Sequence, residues 1–204
     1  MNEPGKLITL EGVDGAGKST HLQFIADIVR AQERHAIVTR EPGGTELAER
    51  LRDAILQQAM DPLTETLLMF AARADHVARV IRPALQAGSW VICDRFSDAT
   101  AAYQGAGKGV SGELIRSLGE AVHPGLRPDR TLVFDCSYEV SRQRLQASGK
   151  ALDRFEREER AFFERVRAAY LAAASAEPER IRVINAAASL ENIREAIARG
   201  LYGL

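Results

Sequence analysis

The sequence predicts an α/β fold: a doubly wound, five-stranded parallel sheet with helices on both faces, joined by right-handed crossovers. Three observations carry this. Short apolar runs alternate with segments of helical periodicity along all 204 residues. Two of those runs, residues 90–94 and 131–135, are almost continuously apolar and end in an aspartate, the pattern of central strands buried on both faces of a parallel sheet. The first run passes into its helix through a glycine-rich turn.

The elements follow in order. Leu7, Ile8, Thr9 and Leu10 form the first strand, residues 11–20 the turn, and Leu22, Ile25, Ala26 and Val29 recur at helical spacing. A second strand, residues 36–38, runs into Thr39-Arg40-Glu41-Pro42-Gly43-Gly44, where Pro and Gly stop it and a loop begins. Helical spacing returns at Leu47, Leu51 and Ile55, then from Leu63 through Leu67, Ala71, Ala74 and Val77 to Ile81; Pro83 is expected to kink or end that helix and Gly88 to close the segment. Between the two central strands lie a polar stretch with Gly105, Gly107 and Gly109 and a helix from about 111 to 122. A helix around 140–145, a small polar segment, a charged helix carrying Phe162, Phe163, Val166 and Tyr170, a last strand at 181–184 and a last helix with Leu190, Ile193, Ile197 and Leu201 complete the alternation. No internal repeat or long linker interrupts it, so residues 1–204 read as one domain. Ligands of such sheets sit beyond the carboxyl ends of the strands; residues 12–19, Arg40, Asp94, Arg95 and Asp135 fall there.

Composition narrows the function. With 27 basic and 28 acidic residues and 46% hydrophobic content, the chain fits a compact soluble domain and not one that grips nucleic acid over a broad surface, so any phosphate must be held by a local pocket. Cys93 and Cys136 lie inside apolar runs and read as buried thiols in a reducing compartment, without a disulfide framework or zinc site. No apolar run approaches the ~20 residues of a membrane span, and the first six residues lack the basic and apolar regions of a signal peptide, so the expectation is a cytoplasmic protein. His21, His35, His76 and His123 have no metal-ligand spacing.

Gly12-x4-Gly17-Lys18-Ser19 fits the P-loop pattern, and it joins a predicted strand to a predicted helix. In that loop backbone N–H groups converge on phosphate oxygens, the lysine reaches the β and γ phosphates, and the hydroxyl of Ser19 ligates Mg²⁺. Gly12, Val13, Asp14, Gly15, Ala16, Gly17, Lys18, Ser19 and Thr20 are therefore the candidate triphosphate site. An Asn-Lys-x-Asp guanine-reading segment is missing where the last strand ends in Asn185-Ala186-Ala187-Ala188, and the size and charge do not suit a mechanical ATPase. A small-molecule kinase remains, with a nucleotide-dependent switch as the rival from another class.

Six ordered pieces then carry a resemblance: residues 11–19, Thr39-Arg40-Glu41-Pro42-Gly43-Gly44, Phe70-Ala-Ala-Arg73, Cys93-Asp94-Arg95-Phe96, Ala102-Tyr103-Gln104-Gly105 and Leu152-Asp153-Arg154-Phe155-Glu156. Together they resemble bacterial thymidylate kinase over nearly the whole chain. The resemblance implies transfer of the γ-phosphoryl of ATP to dTMP, giving dTDP and ADP for dTTP synthesis, with Mg²⁺ and in a homodimer; another nucleoside or nucleoside monophosphate kinase is the alternative, since a thymine methyl supplies only ~1–3 kcal/mol of discrimination. It implies that Arg40 and Arg95 grip the acceptor 5′-phosphate, a task suited to the planar guanidinium, and that Arg73 bonds the thymine edge. Phe70 is the expected ring on the base, although the family's aromatic position, four residues before the arginine, holds Met69. Thr100, Tyr103 and Gln104 complete the acceptor site, Tyr103 and Gln104 crowding the sugar 2′ position and reading the base. Asp14 and Glu156 lie near the sugar 3′-hydroxyl or the magnesium shell, and Asp94 holds Mg²⁺ through water. A lid at about 146–154 supplies the cation absent from the P-loop: Arg154, helped by Lys150, is the expected catalytic group beside Lys18, Arg95 and Asp14, while Arg144 flanks the adenine.

Overall fold

The computed structural model describes residues 4–149 and 151–204. Its elements are β1 (Leu7–Glu11), a 3₁₀ turn (Lys18–His21) running into α1 (Leu22–Arg30), β2 (Ala36–Arg40), α2 (Glu46–Gln57), α3 (Pro62–His76), α4 (Arg82–Gln86), β3 (Trp90–Asp94), α5 (Ser97–Thr100), α6 (Gly112–Val122), β4 (Arg130–Asp135), α7 (Tyr138–Ala147), α8 (Arg160–Ala176), β5 (Ile181–Asn185) and α9 (Leu190–Leu201). The five strands are parallel in the order β2-β3-β1-β4-β5, so β3 and β4, the two runs expected to be central, are interior strands, one on each side of β1.

The alternation of side chains explains the layers. Ile8 and Leu10 point to one face, where Ile92 and Leu132 join Ile25, Ala26 and Val29 of α1 and Ile193 and Ile197 of α9 in one core. Leu7 points to the other, where it packs with Val91, Cys93, Val77, Ile81 and Ala84. Residues at the helix starts satisfy free N–H groups: Thr45 accepts from Ala48, Ser137 from Val140, and Asp61, ahead of Pro62, from Leu63 and Thr64. Register brings Leu10 and Arg40 level with Asp94, so the loops leaving β1, β2 and β3 converge at one edge.

One of the two outcomes expected at Pro83 is excluded. Pro83 does not end the long helix, for helical backbone continues to Gln86. A widened π-helical turn, Val77–Ile81, immediately precedes Pro83 and carries the helix across it into α4. Gly88, at φ 82°, closes the segment as expected. The glycine-rich stretch after β3 is helical: α5 continues as a π-helical segment, Ala101–Gly107. Gly107 is there for close approach, since a Cβ would lie 2.5 Å from the Phe162 ring of α8.

Candidate active site

The loop after β1 is built for contact with anions. Gly12 has φ 128° and a Cβ there would lie 2.3 Å from the Phe134 carbonyl oxygen, so only glycine lets the strand turn against β4. Lys18 is 6% exposed and its Nζ donates to the carbonyls of Gly12 and Val13, each at 3.0 Å. Burial, then the Arg95 guanidinium, pulls its ammonium below the usual lysine range. Ser19 Oγ donates to Asp94 Oδ2 at 3.2 Å, while Asp94 Oδ1 is buried with no hydrogen-bond partner among the described residues. From α7, Ser141 Oγ donates to the Asp14 carbonyl at 2.7 Å, and Arg144 donates to Ala16 O at 3.1 Å and Ala186 O at 2.7 Å. The resulting cleft is lined by residues 14–20, Arg40, Asp94, Arg95, Arg144 and Glu156, together with Arg52. Of the loop's other two expected residues, Gly12 contributes its carbonyl and Val13 is buried in the core.

Arg95 is the hub between loop and sheet. It has φ 71°, a left-handed conformation uncommon for a side-chain-bearing residue. The next amide, Phe96 N–H, donates to Glu11 Oε1 at 2.8 Å. Arg95 Nη1 donates to Gly12 O (3.0 Å) and Tyr170 Oη (3.3 Å), and Nη2 to Asp14 Oδ1 (2.6 Å) and Tyr103 Oη (3.0 Å). Tyr103 in turn donates to Asp14 Oδ2 at 2.8 Å. Burial pushes Asp14 up, but Arg95 and Lys18 outweigh it and hold the carboxyl below its usual value. Glu11, wholly buried and accepting from Tyr170 Oη at 2.8 Å, is pushed up to about 8 by burial and by the Asp98 charge.

A second cavity adjoins the cleft, sharing Asp14, Glu41, Arg52, Arg95 and Asp153 with it. Its inner end holds Met69, Arg73, Phe96, Thr100, Tyr103 and Gln104. Arg73, 3% exposed, donates through Nε to Glu41 Oε2 at 2.6 Å and through Nη2 to Phe96 O at 3.1 Å and Thr100 Oγ1 at 3.0 Å. Its Nη1 is buried and unpartnered among the described residues. Glu41 is also 3.0 Å from His76 Nδ1, and His76 Nε2 is 2.7 Å from Thr39 Oγ1. Burial alone would raise the Glu41 carboxyl; Arg73 and His76 hold it below its usual value.

The structure thus gathers the expected P-loop residues, Arg40, Asp94, Arg95, Arg144 and Glu156 at the cleft, and Arg73, Thr100, Tyr103 and Gln104 in the adjoining cavity. Phe70 is a correction: it is 3% exposed and stacks on His123, 6.5 Å away, lining a different hollow beside α6. One residue along α3 rotates a side chain by about 100°, so Met69 lines the cavity that adjoins the cleft and Phe70 does not. Arg154 is the second correction. It pairs with Glu65 and donates to the Ile55 carbonyl, with its guanidinium over Phe155; it does not line the phosphate cleft. Lys150, its expected helper, lies outside the described residues. Sequence reasoning missed Arg52, which lines both cavities, donates to Pro42 O at 3.0 Å and is lowered by burial and the nearby Arg40 charge. It also missed Phe96, Glu41 and Glu65; the first two stand inside quoted motifs, whereas Arg52 and Glu65 read from sequence as ordinary helix residues.

Comparison with known proteins identifies the relatives of this chain. The family model described as thymidylate kinase matches residues 10–197. Curated thymidylate kinases of Bordetella petrii and Thiobacillus denitrificans are each 52% identical over 204 residues, covering 100% of this chain and 98% and 100% of those proteins. The crystal structure of thymidylate kinase from Ehrlichia chaffeensis superposes with a TM-score of 0.77 at 32% identity, over 96% of this chain and 98% of that one.

Proposed function

The chain belongs to the thymidylate kinase family, an ATP-dependent phosphotransferase family that converts dTMP to dTDP, and from that premise we propose how its own residues divide the work. ATP lies with its phosphates along residues 12–20 and its adenine beside Arg144. The dTMP phosphate lies under Arg40, Arg52 and Arg95, its base between Met69 and Phe96, and its sugar against Tyr103, with Asp14 and Glu156 nearby. The observation that carries this is Arg73 Nη1: a buried guanidinium donor without a partner, in a cavity continuous with a P-loop, calls for a carbonyl oxygen such as that at C4 of thymine.

Mg²⁺ fits the residues present. Ser19 Oγ and Asp94 are hard oxygen donors, and the unpartnered Asp94 Oδ1 leaves a lone pair for a metal-bound water. Among the described residues no group of three or more His, Cys, Asp or Glu side chains forms a cage, as expected where phosphates and water complete the shell. Bound there, the ion would offset charge on the β and γ phosphates.

Phosphoryl transfer through a loose transition state asks for alignment and charge compensation more than for covalent help. Lys18 tracks the donor phosphates from the loop. Arg95 holds the acceptor from the opposite side, its direction fixed by Asp14, Tyr103, Tyr170 and the Gly12 carbonyl. Arg52, at the junction of the two cavities, is the third cation placed for the transferring group. The 146–154 segment closes over the nucleotides and excludes the water that would hydrolyse ATP, residues 1–204 acting as one domain. A homodimer is supported by the apolar side chains Leu47 on α2 and Leu63 and Leu67 on α3, each about half exposed. A cytoplasmic location is supported by two free, buried cysteines; among the described residues no helix is long and apolar enough to cross a membrane.

A coupled assay of ADP release with Mg²⁺ and a panel of dTMP, dUMP, UMP and thymidine tests the reading. The expected result is highest kcat/KM for dTMP and none for thymidine; ADP release that is independent of the acceptor would overturn it.

A further inference from the structure

Glu65 lies on α3, outside the motifs that suggested the function, and is 0% exposed. Its Oε1 accepts from Gln104 Nε2 at 2.7 Å, its Oε2 accepts from Lys108 Nζ at 2.8 Å, and Arg154 pairs with it from the 146–154 segment. Flanked by two cations, this carboxylate offers only acceptor lone pairs. Gln104 is 1% exposed and lines the acceptor cavity. Its amide has two ends, and Glu65 takes the NH₂ end. The carbonyl Oε1, at which no donor is directed among the described residues, is left for the cavity.

We propose that Glu65 is the specificity-positioning residue of the acceptor site: it locks the Gln104 amide so that a carbonyl oxygen, beside the free Arg73 Nη1, faces the base. The inference rests on the acceptor site proposed above. The cavity then presents an acceptor next to a donor, which matches a pyrimidine carrying N3–H beside a C4 carbonyl, as in thymine and uracil. Cytosine carries the reverse pair, an unprotonated N3 beside an amino group, and meets oxygen with lone pair and guanidinium with N–H. Sites built this way reject the wrong partner because their own buried groups lose their bonds. A neutral amide in place of Glu65 would accept or donate equally well and would release the Gln104 orientation, letting the NH₂ end meet a cytosine N3.

The test is the ratio of kcat/KM for dTMP over dCMP in wild type, Glu65→Gln and the exchange Glu65→Gln/Gln104→Glu, with folding followed by thermal unfolding. Arg73 is the same in all three proteins, so its own discrimination cancels. E65Q is expected to lower the ratio at least tenfold, with the loss for dTMP in KM and kcat within threefold of wild type. The exchange variant, whose residue 104 again shows only acceptors to the base, is expected to return the ratio to within threefold. A ratio in folded E65Q that falls less than fivefold overturns the proposal. If E65Q does not fold, Glu65→Asp decides, its carboxylate being one methylene too short to hold the Gln104 amide: a ratio lowered at least fivefold supports the lock, and a smaller change refutes it. Wild-type protein inactive on dTMP would instead refute the underlying function.

Discussion

Replacing Arg73 by methionine isolates the most consequential buried charge pair of the acceptor site. Arg73 and Glu41 are each 3% exposed and meet at 2.6 Å. The methionine keeps much of the stem's volume but leaves Glu41 a buried carboxylate with only His76 beside it, and strips a donor from Phe96 O and from Thr100. Breaking a buried pair in this way costs about 3–5 kcal/mol. For a chain of this length that is roughly 6–20 °C in Tm, at about 2–4 °C per kcal/mol. Adding Glu41→Gln removes the orphaned charge while keeping a partner for His76, so the double variant should be more stable than the sum of the single losses by more than about 1 kcal/mol. The pH dependence follows in sign. Arg73 and His76 hold Glu41 below the ordinary 4.5, and a depressed carboxyl contributes stability above its unfolded value that is lost as pH falls through the folded one. Without Arg73 that contribution is gone, so the gap between wild type and R73M should narrow as pH drops below 4.5. Urea unfolding of the four proteins of the cycle, without nucleotide, measures all of this. A cost for R73M under about 1 kcal/mol, or strictly additive losses, would refute the reasoning.

Two further outcomes follow from the site. Met69→Ala should raise KM for dTMP at least fivefold with little change in Tm, whereas Phe70→Leu should cost about 1 kcal/mol of stability and leave that KM within twofold; steady-state kinetics and thermal unfolding separate them, and the opposite pattern would put Phe70 on the base. Glu11, pushed up to about 8, favours the folded state in its neutral form, so its advantage over Glu11→Gln is full below the ordinary 4.5 and lost as pH rises through about 8; denaturant titrations showing the advantage growing with pH would contradict the burial argument.

Much of this was legible in residue order. Strand runs, helix spacing and the P-loop depend on neighbours in sequence, and β1, α1, β3 and β4 stand where they were expected. What sequence hid depends on neighbours in space. Gly105 and Gly107 stand in a polar stretch without a helical pattern, yet Gly107 lies under the Phe162 ring from α8, a contact that no local pattern announces. A π-helical turn differs from an α turn by one residue in its bonding, so Val77–Ile81 keeps the helical spacing and leaves Pro83 looking like a kink or a stop. Met69 and Phe70 are adjacent and both apolar; which faces the base is set by rotation of α3 against the sheet. Arg52 and Glu65 sit on helices otherwise read for their apolar stripe, and their importance comes from what β2, the π-helical segment and the 146–154 segment bring to them. Arg154 is a cation near the right place in sequence, but the carboxylate it pairs with is on α3.

The bonds from α7 to the P-loop have a consequence for how the enzyme can vary. Ser141 and Arg144 tie this helix to the carbonyls of Asp14 and Ala16, so the stretch beyond Ala147 is mounted on the P-loop itself. A stretch hung from so firm a bracket can change its length or charge without dragging the loop out of shape. Evolution, or an engineer, is thereby free to vary that stretch separately from the loop, and the natural place for an inserted reporter is past Ser148, where Gly149 turns at φ 65° with no described residue within 4 Å of its missing side chain.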